Sequence, residues 1–281
     1  MYKYVLQYIT NFGIYQRPKD TLTMIDYLES FRTRYGMYSR EIVADSGYGS
    51  EENYEFMFAN GMTPYIKYNM FHVEQKRRYR NNPFRVFNLF YNPDGDFYVC
   101  PMGQKMEFIR QEKHHTASGC QQTVSIYRAT RCEGCPLRGQ CHKSKRNRQI
   151  EVNHTLDSYK ARVRELLTSE QGLKHRSNHP IEPEAVFGQI KECGKFRRFR
   201  LKGMIGVKID FGLKALAHNL RKLALTWQNL FFEQNFVIKT QKKALYAPRF
   251  MLIRNRIRLL NEGCLNTTFF AQKRDSPTFY C

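Results

Sequence analysis

Residues 41–67 (EIVADSGYGSEENYEFMFANGMTPYIK) constrain the fold more than any other stretch. Ile42-Val43-Ala44 is a short, wholly apolar run, the pattern of a strand buried on both faces rather than half-wet. Asp45 closes it, Gly47-Tyr48-Gly49 makes a turn, and Ser50 is a helix N-cap. Glu51 and Glu52 then fall in the first helical turn, where the helix dipole favours negative charge. Thr63–Lys67 (TPYIK) is the next strand. Strand, turn, helix and strand in so little chain define an α/β fold.

The remaining segments extend this pattern. Tyr4–Tyr15 (YVLQYITNFGIY) is rich in β-branched and aromatic residues and is expected to be one long strand. Arg17-Pro18 breaks it, and Asp20 is placed to cap a helix with Met24, Leu28 and Phe31 on one face. From Asn69 to about Ile150 basic residues interleave with aromatics, and Asn92-Pro93-Asp94-Gly95 joins Val86–Tyr91 to Phe97–Cys100 as a hairpin. A helix is expected over Leu156–Leu167, a loop over Ser169–Pro183 (SEQGLKHRSNHPIEP), and a second helix from Pro183 to about Glu192. Ile209, Leu213, Leu216, Leu220, Leu223 and Trp227 recur at helical spacing and imply a long amphipathic helix.

Charge narrows the partners. The net charge of +21 is unevenly spread: residues 1–66 carry six Lys/Arg against eight Asp/Glu, whereas 67–154 carry sixteen against seven, 155–222 fifteen against seven and 223–281 nine against three. A basic body attracts polyanions because neutralising phosphate releases counterions. No long basic helix with a clean apolar face favours a membrane surface, so nucleic acid is the expected partner. With 42% hydrophobic and 14% aromatic residues the chain is not of disordered composition. It shows no run of about 18 apolar residues and no signal-peptide order at Met1–Asn11, so a cytoplasmic protein is expected. In a reducing cytosol the eight cysteines, five of them between Cys100 and Cys141, point to metal or free thiols rather than disulfides.

Three constellations carry chemistry. Asp45 ends a buried strand, where ligands gather in open α/β sheets, although a lone Asp there also serves as a turn or cap residue. Glu184, Gly188 and Lys191 fall at i, i+4 and i+7 of a helix and could face a metal–phosphate substrate, or form an ordinary solvated face. Cys132-Glu-Gly-Cys135 is a chelating C-x2-C pair that Cys141 and Cys100 could complete as a tetrahedral zinc site. Reduced, partly buried thiols are the other reading.

Together, IVADSGYGSEENYEFM, CEGCPLRGQC, RSNHPIEPEAVFGQIK and KFRRFRLKGM…FGLKALAHNLRK resemble the DDE transposases of bacterial insertion sequences, over about Tyr4–Ala224. The closer likeness is to the branch whose RNase H-like core is interrupted by a cysteine-bearing insertion. The resemblance implies that Asp45 and Glu184 are the second and third catalytic acids, and hold Mg²⁺ or Mn²⁺. Arg176 matches more loosely the basic residue before the Glu, and Lys191 matches the family's Lys. Lys191 with Arg197, Arg198, Arg200 and Lys202 would position the DNA backbone. The implied partners are insertion-sequence ends and target DNA, held by a homo-oligomer at the nucleoid. The implied division is 1–68 and 155–228 as core, 69–154 as a β-rich, cysteine-bearing insertion and 229–281 as a basic tail.

The resemblance also departs from the family. Met1 falls just before the match to the third core strand, so the first two strands, the first catalytic Asp and the N-terminal DNA-binding helices are expected to be missing. Asp20 and Asp26 do not replace that Asp, the one a cap and the other inside the same helix. Catalysis by this chain alone is therefore expected to fail, and the strand ending in Asp45 to have an exposed edge. A non-catalytic, zinc-dependent nucleic-acid-binding protein is the alternative.

Overall fold

The computed structural model describes residues 7–16, 20–179, 181, 183–193, 195–245 and 278–280, with only the backbone described at Asp20, Pro183, Glu184, Cys193, 229–245 and 278–280. The chain forms two units, one of residues 15–184 with 277–281, the other of residues 1–14 with 185–276.

In the first unit a 3-10 turn, Asp20–Leu22, leads into α1 (Met24–Tyr35), and Gly36 ends that helix in the left-handed conformation at φ 74°. Met24, Leu28 and Phe31 all lie on its buried face, as their spacing requires. β1 (Glu41–Ala44) pairs in parallel with β2 (Thr63–Ile66) from Glu41↔Thr63 to Ala44↔Ile66, and α2 (Glu51–Ala59) is the crossover between them. Ile42, Val43 and Ala44 are all buried, which accounts for the absence of polar alternation in that run. Two single-turn helices, α3 (Phe71–Glu74) and α4 (Arg77–Arg80), follow β2.

A second sheet is antiparallel, with strand order β3-β4-β5-β6-β7. Its strands are β3 (Phe90–Asn92), β4 (Phe97–Val99), β5 (Lys105–His115), β6 (Gln121–Ala129) and β7 (Gln149–Val152), with the short helix α5 (Arg138–Cys141) before β7. The turn at 92–96 makes the expected hairpin, with Phe90 opposite Val99, while Val86–Asn88 is a 3-10 turn rather than strand. The sheet has its own core, including Tyr98, Met106, Tyr127, Ile150 and Val152.

Asn153 then caps α6 (His154–Thr168), whose Val163 and Leu167 enter the core formed by α1, β1, α2 and β2. The segment expected to be a loop is instead α7 (Glu170–Asn178) for nine of its residues. Ser169 is its cap, accepting from the Gly172 N–H at 3.1 Å. Gly172 is a packing residue rather than a helix breaker: a Cβ there would stand 2.1 Å from the Leu166 carbonyl oxygen. α8 (Pro183–Gly188) begins at the expected proline and passes into a π-turn at Gln189–Cys193, so the regular 3.6-residue period stops at Gly188. Lastly, β8 (Thr278–Tyr280) pairs in parallel with the side of β1 away from β2, from Glu41↔Thr278 to Val43↔Tyr280, so the edge of β1 expected to be exposed is covered.

The second unit is dominated by α9 (Gly203–Leu245), a helix of 43 residues. Residues 7–16 lie outside any strand, so their part of the expected N-terminal strand does not form; Tyr4–Leu6 falls outside the described residues. The Ile9 backbone finds its partners on α9 instead, donating to Asn219 Oδ1 at 2.9 Å and accepting from Asn219 Nδ2 at 2.8 Å. Phe12 packs against Phe211 with ring centroids 5.0 Å apart. The expected apolar stripe on α9 is present, but its residues are solvent-exposed, from Leu223 at 45% to Trp227 at 69%.

Candidate active site

The turn after β1 is built to hold its backbone while leaving one acid exposed. Asn53, almost wholly buried, donates through Nδ2 to the carbonyls of Tyr48 (2.9 Å) and Thr21 (3.2 Å) and pins the 46–48 turn. Ser50 accepts from the Asn53 N–H, capping α2. A Cβ on Gly49 would stand 2.7 Å from the Lys67 carbonyl oxygen, so only glycine fits between the turn and the end of β2. Tyr54 donates to the Ile66 carbonyl at 3.0 Å, and burial pushes its phenol far above the usual range. Glu51, buried at the first turn of α2, accepts from Asn153 Nδ2 at 2.6 Å and ties α2 to the start of α6.

Asp45 is the exception in this motif. Its backbone is extended (φ −68°, ψ 161°) at the start of the 46–48 turn, yet its side chain makes no capping hydrogen bond and is 70% exposed. The cap or turn reading therefore does not account for its carboxylate. Hard divalent cations bind through such oxygens, so Asp45 fits a Mg²⁺ ligand by chemistry and access.

Two further histidines, one in α7 and one at its C-terminal cap, stand near this end of β1. His175 and His179, one turn apart, are both buried. His175 Nε2 lies 3.0 Å from Glu41 Oε2, and its ring packs on Tyr65 with centroids 4.6 Å apart. His179 Nε2 stands 3.9 Å from Asp45 Oδ1, within ion-pair range but too far for a hydrogen bond, and has no hydrogen-bond partner. The H-x3-H spacing is visible in the sequence, but it stacks the two rings on one face only because Glu170–Asn178 is helix rather than loop.

Arg176 stacks on Phe71, its guanidinium carbon 5.1 Å from the ring centroid. Its charge, after burial and Lys67, helps hold the His72 imidazole below its ordinary range. Glu184 is the second residue of α8, and its side chain lies outside the described residues. In the second unit, Lys191 is exposed within the π-turn, and Arg197, Arg198, Arg200 and Lys202 are exposed on the irregular segment before α9. That segment is anchored where the Arg200 N–H donates to the buried Asp210 carboxylate at 2.7 Å.

Cys100, Cys132, Cys135 and Cys141 line one cavity of about 20 Å³ beside the antiparallel sheet, together with His142 and Arg148. All are free thiols, and among the described residues no group of three or more His, Cys, Asp or Glu is set around a metal position. Cys120 lies elsewhere, near Glu52, Glu51 and Glu55, and burial followed by those charges raises its thiol. The side chains of Cys193, Cys264 and Cys281 lie outside the described residues.

The fold and site thus define a mixed α/β protein with an accessible acid at a strand end, a separate antiparallel sheet beside a cysteine-lined cavity, and exposed basic side chains. Residues 99–224 match the family model described as a transposase DDE domain. The match covers the cysteine-bearing region, α6 to α8 and the first half of α9, and begins after Asp45. No curated protein and no solved structure matches the chain.

Proposed function

We propose that the chain carries the later part of the catalytic core of a bacterial insertion-sequence transposase, RNase H-like in fold, with residues 69–154 as an inserted subdomain. The family match over 99–224 carries this reading. In it, Asp45 and Glu184 are two of the three acids that hold Mg²⁺ or Mn²⁺. When bound, such ions stabilise the attacking and leaving oxygens of a phosphodiester during in-line displacement. Support at Asp45 comes from its uncapped, exposed carboxylate at the end of β1. Arg176, Lys191, Arg197, Arg198, Arg200 and Lys202 position the phosphate backbone and carry little sequence information.

In this reading only two of the three acids are assigned, and the chain is proposed to bind DNA without cutting it. The test incubates the chain with Mn²⁺ or Mg²⁺ and DNA bearing the element's ends, beside an Asp45→Ala control. Uncut DNA is the expected result. Cleavage that disappears in the control would show that a third acid is present and has been misplaced.

The protein acts at the nucleoid as a homo-oligomer. The 4-3-4-3-4 spacing of exposed Ile209, Leu213, Leu216, Leu220, Leu223 and Trp227 on α9 supports self-association, because it is the seam of a coiled coil. Among the described residues no helix is long and apolar enough to cross a membrane.

The cysteine-lined cavity favours a second reading, a zinc-dependent nucleic-acid-binding protein without catalysis. It is distinguished by DNA binding that requires zinc and is indifferent to Mg²⁺.

A further inference from the structure

The observation that leads furthest is a buried cation without an acid. Arg148 is 7% exposed, and its guanidinium forms no ion pair with a carboxylate among the described residues. Its Nη1 donates to Cys141 Sγ at 3.1 Å and its Nη2 to the Phe84 carbonyl, while its backbone N–H donates to Cys132 Sγ at 3.4 Å. A guanidinium stays protonated, and a buried charge is costly unless it is paired. Neutral thiols are weak acceptors and offer no counter-charge; thiolates would. Four cysteines, a zinc-type ligand set, line the same cavity.

The local backbone suits the same purpose. Cys132 and Cys135 form a C-x2-C turn in which Gly134 takes φ +68° and the Cys135 N–H donates to the Cys132 carbonyl at 3.4 Å. Cys100 starts a comparable turn: Gly103, at φ +77°, donates to the Cys100 carbonyl at 2.8 Å. Cys141 ends α5. The cavity of about 20 Å³ has room for a water-sized occupant.

We propose that Cys100, Cys132, Cys135 and Cys141 bind one zinc ion as a tetrathiolate, with Arg148 as the buried counter-charge to the complex. Four thiolates and Zn²⁺ sum to −2, which the guanidinium brings to −1. Arg138, which donates to the Cys132 carbonyl at 3.4 Å, brings a second positive charge to the same turn. No three ligand-type side chains among the described residues are yet set around one point, so binding turns the sulfurs inward to Zn–S distances of about 2.3 Å. His142 is the competing donor, since both of its ring nitrogens are buried without hydrogen-bond partners. The zinc assignment does not depend on the transposase reading.

The test is metal analysis of the full chain purified without chelator, followed by exchange with Co²⁺ under reducing conditions. One zinc per chain and a thiolate-to-cobalt charge-transfer band are expected. Cys132→Ser and Cys135→Ser should abolish both, Cys120→Ser should change neither, and His142→Ala should retain the metal. Arg148→Met should weaken binding by about 10–100-fold, as loss of an outer-shell partner does. Because a cysteine variant can fail to fold, the wild-type chain is also titrated with Co²⁺ after chelation, with the band as readout. Absence of stoichiometric zinc together with absence of the band would overturn the site. Loss of metal in His142→Ala with retention in Cys100→Ser would overturn the ligand set, and unchanged affinity in Arg148→Met would overturn the role of Arg148.

Discussion

Individual residues in the 45–54 turn divide into those that build it and the one it presents. Gly49, Ser50, Asn53 and Tyr54 are each consumed by a backbone contact, whereas the Asp45 carboxylate is left to solvent. The sequence made this motif conspicuous but could not apportion its roles, because the Lys67 and Ile66 carbonyls that fix Gly49 and Tyr54 arrive with the next strand. Gly172 shows the same limit from the other side. Read alone it breaks a helix; in place it is the residue that lets α7 start against the end of α6. Gly172→Ala should therefore destabilise the fold by about 1–3 kcal/mol, the usual cost of overpacking. Gly139→Ala, at a helical glycine with nothing within 4 Å of an added Cβ, should be neutral or slightly stabilising. Urea unfolding of both variants measures the difference; equal midpoints would contradict the packing role.

Element by element, those legible in the sequence are the ones whose signals are local: α1 with its Met24, Leu28 and Phe31 stripe, β1, the Ser50 cap, β2 and the 92–96 turn. Elements that depend on distant partners were not. Residues 7–16 have strand-like composition, but Ile9 is satisfied by the Asn219 side chain on α9. β8 could not be anticipated from a short run in a basic tail, yet it pairs with the side of β1 that β2 leaves open. Deleting residues 277–281 should uncover that backbone edge and promote aggregation. Light scattering during mild heating tests this, and unchanged scattering would show that the β8 pairing protects nothing. Between α3 and α6, Arg164 donates to Tyr68 Oη and Glu74 Oε2, each at 3.0 Å, and Tyr68 donates to Glu74 at 2.6 Å. Arg164→Ala leaves the partly exposed Glu74 and the buried Tyr68 with less than their full set of partners. With Arg164 itself about one-third exposed, the expected loss is about 1–3 kcal/mol by denaturant unfolding. A loss near zero would mean that water replaces the guanidinium.

The whole molecule follows its charge. The acidic excess of residues 1–66 and the basic excess that follows place most positive charge outside the α1–β2 segment, and the basic residues at 197–202 are exposed. DNA affinity should fall steeply with salt, with log K linear in log salt and a slope of about −0.9 per phosphate contact. Replacing Arg197, Arg198 and Arg200 together by Ala should flatten that slope by up to about three such contacts, as read by fluorescence anisotropy across a salt series. An unchanged slope would place the DNA elsewhere. The proposed pair of acids was the least legible part of the site: Asp45 and Glu184 lie 139 positions apart (184 − 45), and spacing carries no information across that distance. Their joint role is tested most directly by Mn²⁺ binding to the full chain, followed by electron paramagnetic resonance, in the wild type, Asp45→Ala and Glu184→Gln. Each variant should weaken capture of the same ion by about 10-fold or more, at least the loss seen when an outer-shell partner is removed. Wild-type affinity in either variant would contradict a shared metal site and, with it, the assignment of these two acids.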